Sequence, residues 1–270
     1  MKYLRIPGLV LEVGSGHRPY PQSDVLVDKF PEDIRQSGRL QTGERPLIVA
    51  DMEKLPFRDG AFAYSIASHV VEHATHPDRA LRELMRVSSA GYIEAPSALM
   101  EFVEPYREHH LWFVKKEQGE LVFIPRRKLT GLQQRVSRRL REENFSFRLF
   151  YHSNPQLVQT TLEWQGTIPF RIEKRPFHPD EYLTLTRQSF WQFGSNILRK
   201  LWEEVLKRYV AWRRSRKQAE VPLVELLMCP RCGGELSIES TRVVCATCQG
   251  FYPRNENVYF LSREYFKKGR

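Results

Sequence analysis

The sequence predicts an α/β chain with an open, doubly wound parallel sheet, a basic helical insertion and a small C-terminal cysteine module. Three observations carry this. From residue 9 to about residue 95, short β-branched runs (LVLEV, DVLVD, LIVAD, AYSIAS, GYIEA) alternate with polar or helical stretches, as buried parallel strands do. Residues 126–217 hold 20 Lys plus Arg against 8 Asp plus Glu, a net +12 in a chain whose total is +10. All four cysteines fall between Cys229 and Cys248. At 270 residues and 41% apolar, the chain can bury one to two cores, which excludes a disordered or fibrous protein.

Taken in order, the N-terminal stretch MKYLRIPGLVLEVG is broken by Pro7 and Gly8 and stopped by Glu12, too short and polar for a signal peptide. No run of 18 apolar residues predicts a spanning helix. With so few and such clustered cysteines, a soluble, cytoplasmic protein is expected. Between the fourth and fifth runs, HPDRALRELMRV sets Ala80, Leu81, Leu84, Met85 and Val87 at helical spacing behind Pro77. Residues 1–185 form the first domain, with 98–165 as a substrate-side insertion and IPFRIEKR among the sheet's last strands. Residues 186–221 are expected to be a long basic amphipathic helix and linker, striped by Phe190, Phe193, Ile197, Leu201, Val205 and Tyr209. Residues 222–265 form the cysteine module.

LEVGSGHRPYP sets a two-glycine turn directly after a strand, but Pro19 stands where a dinucleotide fingerprint needs its third glycine. Glu12 would repel a pyrophosphate and attract a cation. Asp28 ends the second strand, where a carboxylate accepts both ribose hydroxyls, and Asp51 ends the third, where it meets an adenine amino group. One acid per consecutive strand end describes a nucleoside that carries positive charge and no phosphates.

These residues, with VADMEKLPFRDGAFAYSIASHVVEH following, make residues 9–96 resemble the class I S-adenosylmethionine-dependent methyltransferases, in particular their type 11 branch. The resemblance implies a Rossmann-like methyltransferase sheet and S-adenosylmethionine as cofactor. It implies that Gly14, Ser15 and Gly16 pass under the methionine part of the cofactor, with Glu12 supporting the loop. It further implies Asp28 at the ribose, Asp51 and Met52 at the adenine, and Ser68 and His69 lining the transfer site. Two departures stand out: Arg18 replaces the family's third glycine, and only seven residues separate Gly16 from Asp24. A parallel crossover normally takes a dozen or more, so a loop is expected in place of the first helix.

His69-Val-Val-Glu72-His73 matches the HxxEH pattern of a zinc-protease class. No third ligand is evident nearby, and the pattern reads better as a strand end entering a helix, with His73 a hydrogen-bonded structural residue. His69, His109 and His110 are the candidate bases; the last two lie in the aromatic stretch REHHLWFV. The methyl acceptor is open among RNA, a translation protein, a glycan or lipid intermediate and a small metabolite. SHVV lacks the Asn/Asp-Pro-Pro-aromatic tetrad that holds a planar nitrogen, which favours oxygen, carbon or other nitrogen acceptors. The basic helix packs on the sheet, tracks RNA phosphates or lies on an anionic membrane. A non-catalytic scaffold, with a degenerate cofactor loop, is the competing reading.

Cys229-Pro-Arg-Cys232 and Cys245-Ala-Thr-Cys248 lie twelve residues apart, at zinc-ribbon spacing. Four thiolates fill the tetrahedral shell of Zn²⁺ and leave no open position, so a structural zinc is expected. Residues 226–262, with the Phe251-Tyr252-Pro253 turn, further resemble the small zinc-ribbon subunit that activates methyltransferases acting on tRNA, rRNA and a release factor. The resemblance implies that the ribbon braces the catalytic domain or its substrate within one chain.

Overall fold

The structure is a computed structural model that describes residues 8–30, 42–97, 100–101, 109–126, 135, 138–144, 146–147, 154–175, 205 and 221–269. The expected basic helix over 187–217 lies outside the described residues, apart from Val205, which is exposed. Residues 127–134 of the basic segment lie outside them too.

Each of the five β-branched runs forms a strand: β1 (Val10–Val13), β2 (Val25–Asp28), β3 (Leu47–Val49), β4 (Tyr64–Ser68) and β5 (Ala90–Pro96). They pair in parallel in the order β3-β2-β1-β4-β5. Every residue of β1 is buried, as a central strand covered on both faces must be. Helix α1 (Pro77–Val87) begins at its proline, whose missing N–H costs nothing at that position. It buries Ala80, Leu81, Leu84 and Val87, the stripe expected from spacing, into the core that holds Leu11, Val13, Val27 and Ile48.

Beyond β5 the chain makes the hairpin β6 (Trp112–Glu117) and β7 (Glu120–Pro125), closed by Gln118 and Gly119, both at positive φ (48° and 88°). Two such residues make the turn whose twist matches the strands. Strand β8 (Gln159–Gln165) runs antiparallel along β5 and ends that side of the main sheet. Strand β9 (Phe170–Ile172) lies within the expected IPFRIEKR strand but pairs with β7 in a separate three-stranded sheet. Its sequence announced a strand and could not announce the partner.

The C-terminal module adds β10 (Leu236–Ile238), β11 (Arg242–Cys245), β12 (Gly250–Asn255), β13 (Val258–Tyr259) and β14 (Lys267–Lys268). It joins the main sheet directly. Strand β13 lies parallel to β3, pairing Val258 with Leu47 and Tyr259 with Ile48, and the Leu47 N–H donates to the Asn257 carbonyl at 2.8 Å. Main-chain bonds from Arg58 to Leu226 (2.8 Å) and from Met228 to Pro56 (3.0 Å) fasten the strand's flank. Leu226, Leu227, Val243, Tyr252 and Leu261 belong to the same buried cluster as the methyl and aromatic groups under β1–β5. The module covers what would be an open sheet edge. Among the described residues, no helix is long and apolar enough to cross a membrane.

Candidate active site and cysteine cluster

Neighbouring β1 and β4 send their chains in opposite directions, β1 toward β2 and β4 toward β5, so a crevice opens beyond their carboxyl ends. A cavity of about 350 Å³ lies there, and its lining includes Gly14, Gly16, Asp28, Asp51, Met52, His69, His73 and His109.

The glycine turn is tied to the next strand. Gly14 donates its N–H to the Val27 carbonyl at 2.8 Å, and Gly16 donates to Asp28 Oδ2 at 3.2 Å. Gly14 sits at φ 73°, and a Cβ there would stand 2.5 Å from Val70 Cγ2, so both conformation and space require glycine. Phe30 N–H holds the other Asp28 oxygen at 2.9 Å. Asp51 accepts from Glu53 N–H at 2.9 Å and from Lys29 Nζ at 2.6 Å. Each carboxylate keeps lone pairs for a ligand hydroxyl or amino group. Residues 14–24 contain no helix, in keeping with the short Gly16–Asp24 spacing.

Four expected site residues do not line the cavity. Glu12 alternates with Val13 along β1 and projects to the other face. There it is buried and accepts from Tyr20 N–H at 2.8 Å and from the Ser23 hydroxyl, which ties down the loop. Burial pushes its carboxyl up to about 7, against the opposing pull of those two donors and Arg45. Ser15 is buried within the turn, and Ser68 donates to Glu94 Oε1 at 3.3 Å. His110, expected among the bases, is buried and hydrogen-bonded through Nδ1 to Glu101. The reason is the start of β6: Leu111 N–H donates to the Glu72 carbonyl at 2.8 Å and Trp112 Nε1 to the Ala74 carbonyl at 2.7 Å, which folds His110 inward and leaves His109 at the cavity.

His69 follows β4 in the left-handed region (φ 53°), a conformation uncommon for a side-chain-bearing residue and worth a functional question. Its Nε2 lies 3.2 Å from Glu94 Oε1. Burial alone would raise Glu94, but the bonds from His69, Tyr92 and Ser68 outweigh it and hold its carboxyl below the ordinary value. His69-Val-Val-Glu72-His73 does not enter an α-helix: Val71–His73 is a single 3₁₀ turn. Glu72 was noted only as the acid of the HxxEH pattern, and Glu94, Glu101 and Lys29 were not singled out in the sequence. Only Lys29, one residue past a strand-end acid, carried a local signal.

The cysteine thiols converge. All four Sγ atoms lie within 4.8 Å of one another, with Cys229–Cys248 at 3.9 Å and Cys232–Cys245 at 3.6 Å. Tetrahedral zinc–sulfur bonds would set them about 3.8 Å apart. Gly234 N–H and Cys248 N–H point at Cys232 Sγ and Cys245 Sγ, each at 3.4 Å, as donors that stabilise thiolates. A second cavity of about 440 Å³ separates this module from the end of β3, lined by Lys29, Asp51, Lys54, Arg79, Pro230 and Arg263 among others.

Residues 13–93 match the family described as "Methyltransferase domain". That segment runs from the end of β1 into β5 and carries the cavity lining except His109. Among solved structures, the chain is similar to the YcgJ protein from Bacillus subtilis (22% identity, 39% of this chain, 55% of that one, TM-score 0.27). It is similar to a SAM-dependent methyltransferase from Thermotoga maritima (21%, 40% and 55%, TM-score 0.28). A third likeness is to a chain of the Haloferax volcanii complex between the Trm112 methyltransferase activator and a protein described as a methyltransferase (17%, 43% and 68%, TM-score 0.32). The chain spans about half the length of the first two, 55% of each. Comparison with curated proteins gives no match.

Proposed function

We propose that this chain is an S-adenosylmethionine-dependent methyltransferase whose C-terminal zinc ribbon braces the catalytic sheet. The observation that carries the reading is the cavity at the β1/β4 switch point, where Gly14, Gly16, Asp28, Asp51 and Met52 meet in a methyltransferase-domain segment. Asp28 would accept the ribose hydroxyls and Asp51 the adenine amino group. The narrow turn at Gly14 would let the methionine part lie against backbone. Methyl transfer from a sulfonium is an in-line displacement, so positioning supplies most of the acceleration. His69 and His109 stand at the wall to take a proton from an acidic acceptor. Imidazoles at the cavity wall and the absence of a planar-nitrogen clamp after β4 favour an acceptor oxygen.

Four converging thiols at tetrahedral spacing fit zinc, which would hold the ribbon's two knuckles together and supply folding energy to a small module. The parallel pairing of β13 with β3 is the brace.

Calorimetry with S-adenosylmethionine and with its demethylated product tests the cofactor. Both should bind one per chain, and Asp51→Asn, on an exposed side chain, should weaken binding at least about tenfold while circular dichroism stays unchanged. Absence of binding to the wild-type chain favours the scaffold reading. Radiolabelled cofactor with fractionated extract then identifies the acceptor by the fraction that becomes labelled.

A further inference from the structure

We propose that Glu72, His73 and His110 form a second divalent-metal site in the wall of the cofactor cavity. The nitrogens of His73 and His110 flank one Glu72 oxygen, and His69 faces the same oxygen from the cavity side. His69 Nδ1 lies 3.8 Å, His110 Nε2 3.9 Å and His73 Nε2 4.0 Å from Glu72 Oε1. One ligand atom from each of Glu72, His73 and His110 falls within 4.8 Å of the others. These separations are too long for hydrogen bonds. Two ligands that each stand about 2.1 Å from one ion lie about 3–4 Å apart, so the spacing is that of ligands flanking a cation.

The far nitrogen of each ring strengthens the assignment. His73 Nδ1 meets the His109 carbonyl at 3.1 Å, His69 Nε2 meets Glu94 Oε1 at 3.2 Å, and His110 Nδ1 meets Glu101 Oε1. A carbonyl or carboxylate accepts, so each of these nitrogens carries the ring proton and the opposite lone pair turns toward Glu72. Glu101 is steadied in turn by Arg126 Nε at 3.3 Å. Carboxylates and carbonyls behind ligating imidazoles are the partners that fix a metal-binding tautomer. The third ligand that the HxxEH pattern lacks in sequence is therefore His110, brought in by β6.

Two imidazoles and a carboxylate, the donor set of an open zinc site, suit Zn²⁺ or another late first-row divalent ion and differ from the four thiols of the ribbon. Glu72 and His110 form the floor, with side chains 0% and 3% exposed. His69 and His73 line the cavity, at 28% each, so the ion would face the pocket. Its use in catalysis rests on the methyl-transfer reading; the site itself does not. A bound acceptor hydroxyl would become more acidic and give its proton to solvent through exposed His109. The acceptor oxygen would then bond to the methyl carbon as the carbon–sulfur bond breaks, and the sulfonium would leave as a neutral thioether.

Elemental analysis of full-length protein, equilibrated with excess Zn²⁺ and desalted, tests the site without reference to activity. Two zinc ions per chain are expected. His73→Ala and Glu72→Gln should each lose one and keep the wild-type circular dichroism, while Cys232→Ser loses the other. One zinc per chain in the wild-type protein, removed by Cys232→Ser, overturns the proposal, as do two zincs retained in Glu72→Gln. Two zincs in a chain that fails to bind S-adenosylmethionine would leave the metal site standing and remove the methyl-transfer reading.

Discussion

Glu12 shows how one buried side chain serves the glycine turn without touching the cavity. It fixes Tyr20 and Ser23, so the turn at Gly14–Gly16 is held from behind. Holding it there has an energetic sign. Burial raises the carboxyl from 4.5 to about 7, so the folded state prefers the protonated form. The associated stability is fully present below pH 4.5 and lost as pH rises through about 7. Glu12→Gln keeps an oxygen for both donors and removes the titration. Denaturant unfolding at pH 4.5 and pH 8 should therefore show the stability difference between those pH values smaller in the variant, by up to about 3 kcal/mol. An unchanged difference would mean that Glu12 ionises freely in the fold. At this scale the strand-end acids were legible because a strand followed by an acid is a local pattern. Facing of Glu12 was not, since it depends on which face of β1 the returning loop covers. Nor was the Glu72–His110 pairing, which joins residues that only the path of β6 brings together.

Among the elements, β3 is the one whose environment the sequence left open. LIVAD reads as a buried strand, yet with β13 absent it would be the sheet's edge, with unpaired main-chain groups along one side. The cysteine spacing announced a metal-clamped module. Its docking strand did not show, because the two residues Val258 and Tyr259 are too few to display a period. Loop 14–24 was readable for the opposite reason: seven residues cannot hold a crossover helix, whatever their types. If zinc holds the ribbon in shape, Cys232→Ser should loosen β13 and release β3. Hydrogen exchange followed by mass spectrometry should then show Leu47–Val49 exchanging at least about tenfold faster, with β4 and β5 nearly unchanged. Equal acceleration in β3, β4 and β5 would instead describe one cooperative unit that the ribbon stabilises as a whole.

Across the whole molecule, the two ends of the described chain meet at the same strand terminus. Asp51 follows β3, lines the cavity at the β1/β4 crevice, and with Lys29 also lines the cavity beside the cysteine module, where Pro230 lies between Cys229 and Cys232. The Lys29–Asp51 ion pair, at 2.6 Å, therefore lies between the two cavities. Both side chains are substantially exposed, so the pair adds little stability by itself. Its value is positional: it sets where the Asp51 carboxylate stands, and the β3 backbone beneath it is pinned by β13. If the proposed zinc and cofactor sites hold, losing the metal should shift that backbone and weaken binding at Asp51 while the Gly14 turn on β1 stays in place. Calorimetry of S-adenosylmethionine with Cys232→Ser should show about tenfold weaker binding, which is a coupling of about 1–2 kcal/mol. The single-residue change is preferred to a chelator because it leaves the Glu72–His73–His110 cluster loaded. Adenosine, which lacks the methionine part, should lose affinity by the same factor as the whole cofactor if the effect is confined to Asp51. An affinity equal to wild type would make the ribbon a separate appendage, serving the acceptor rather than the cofactor.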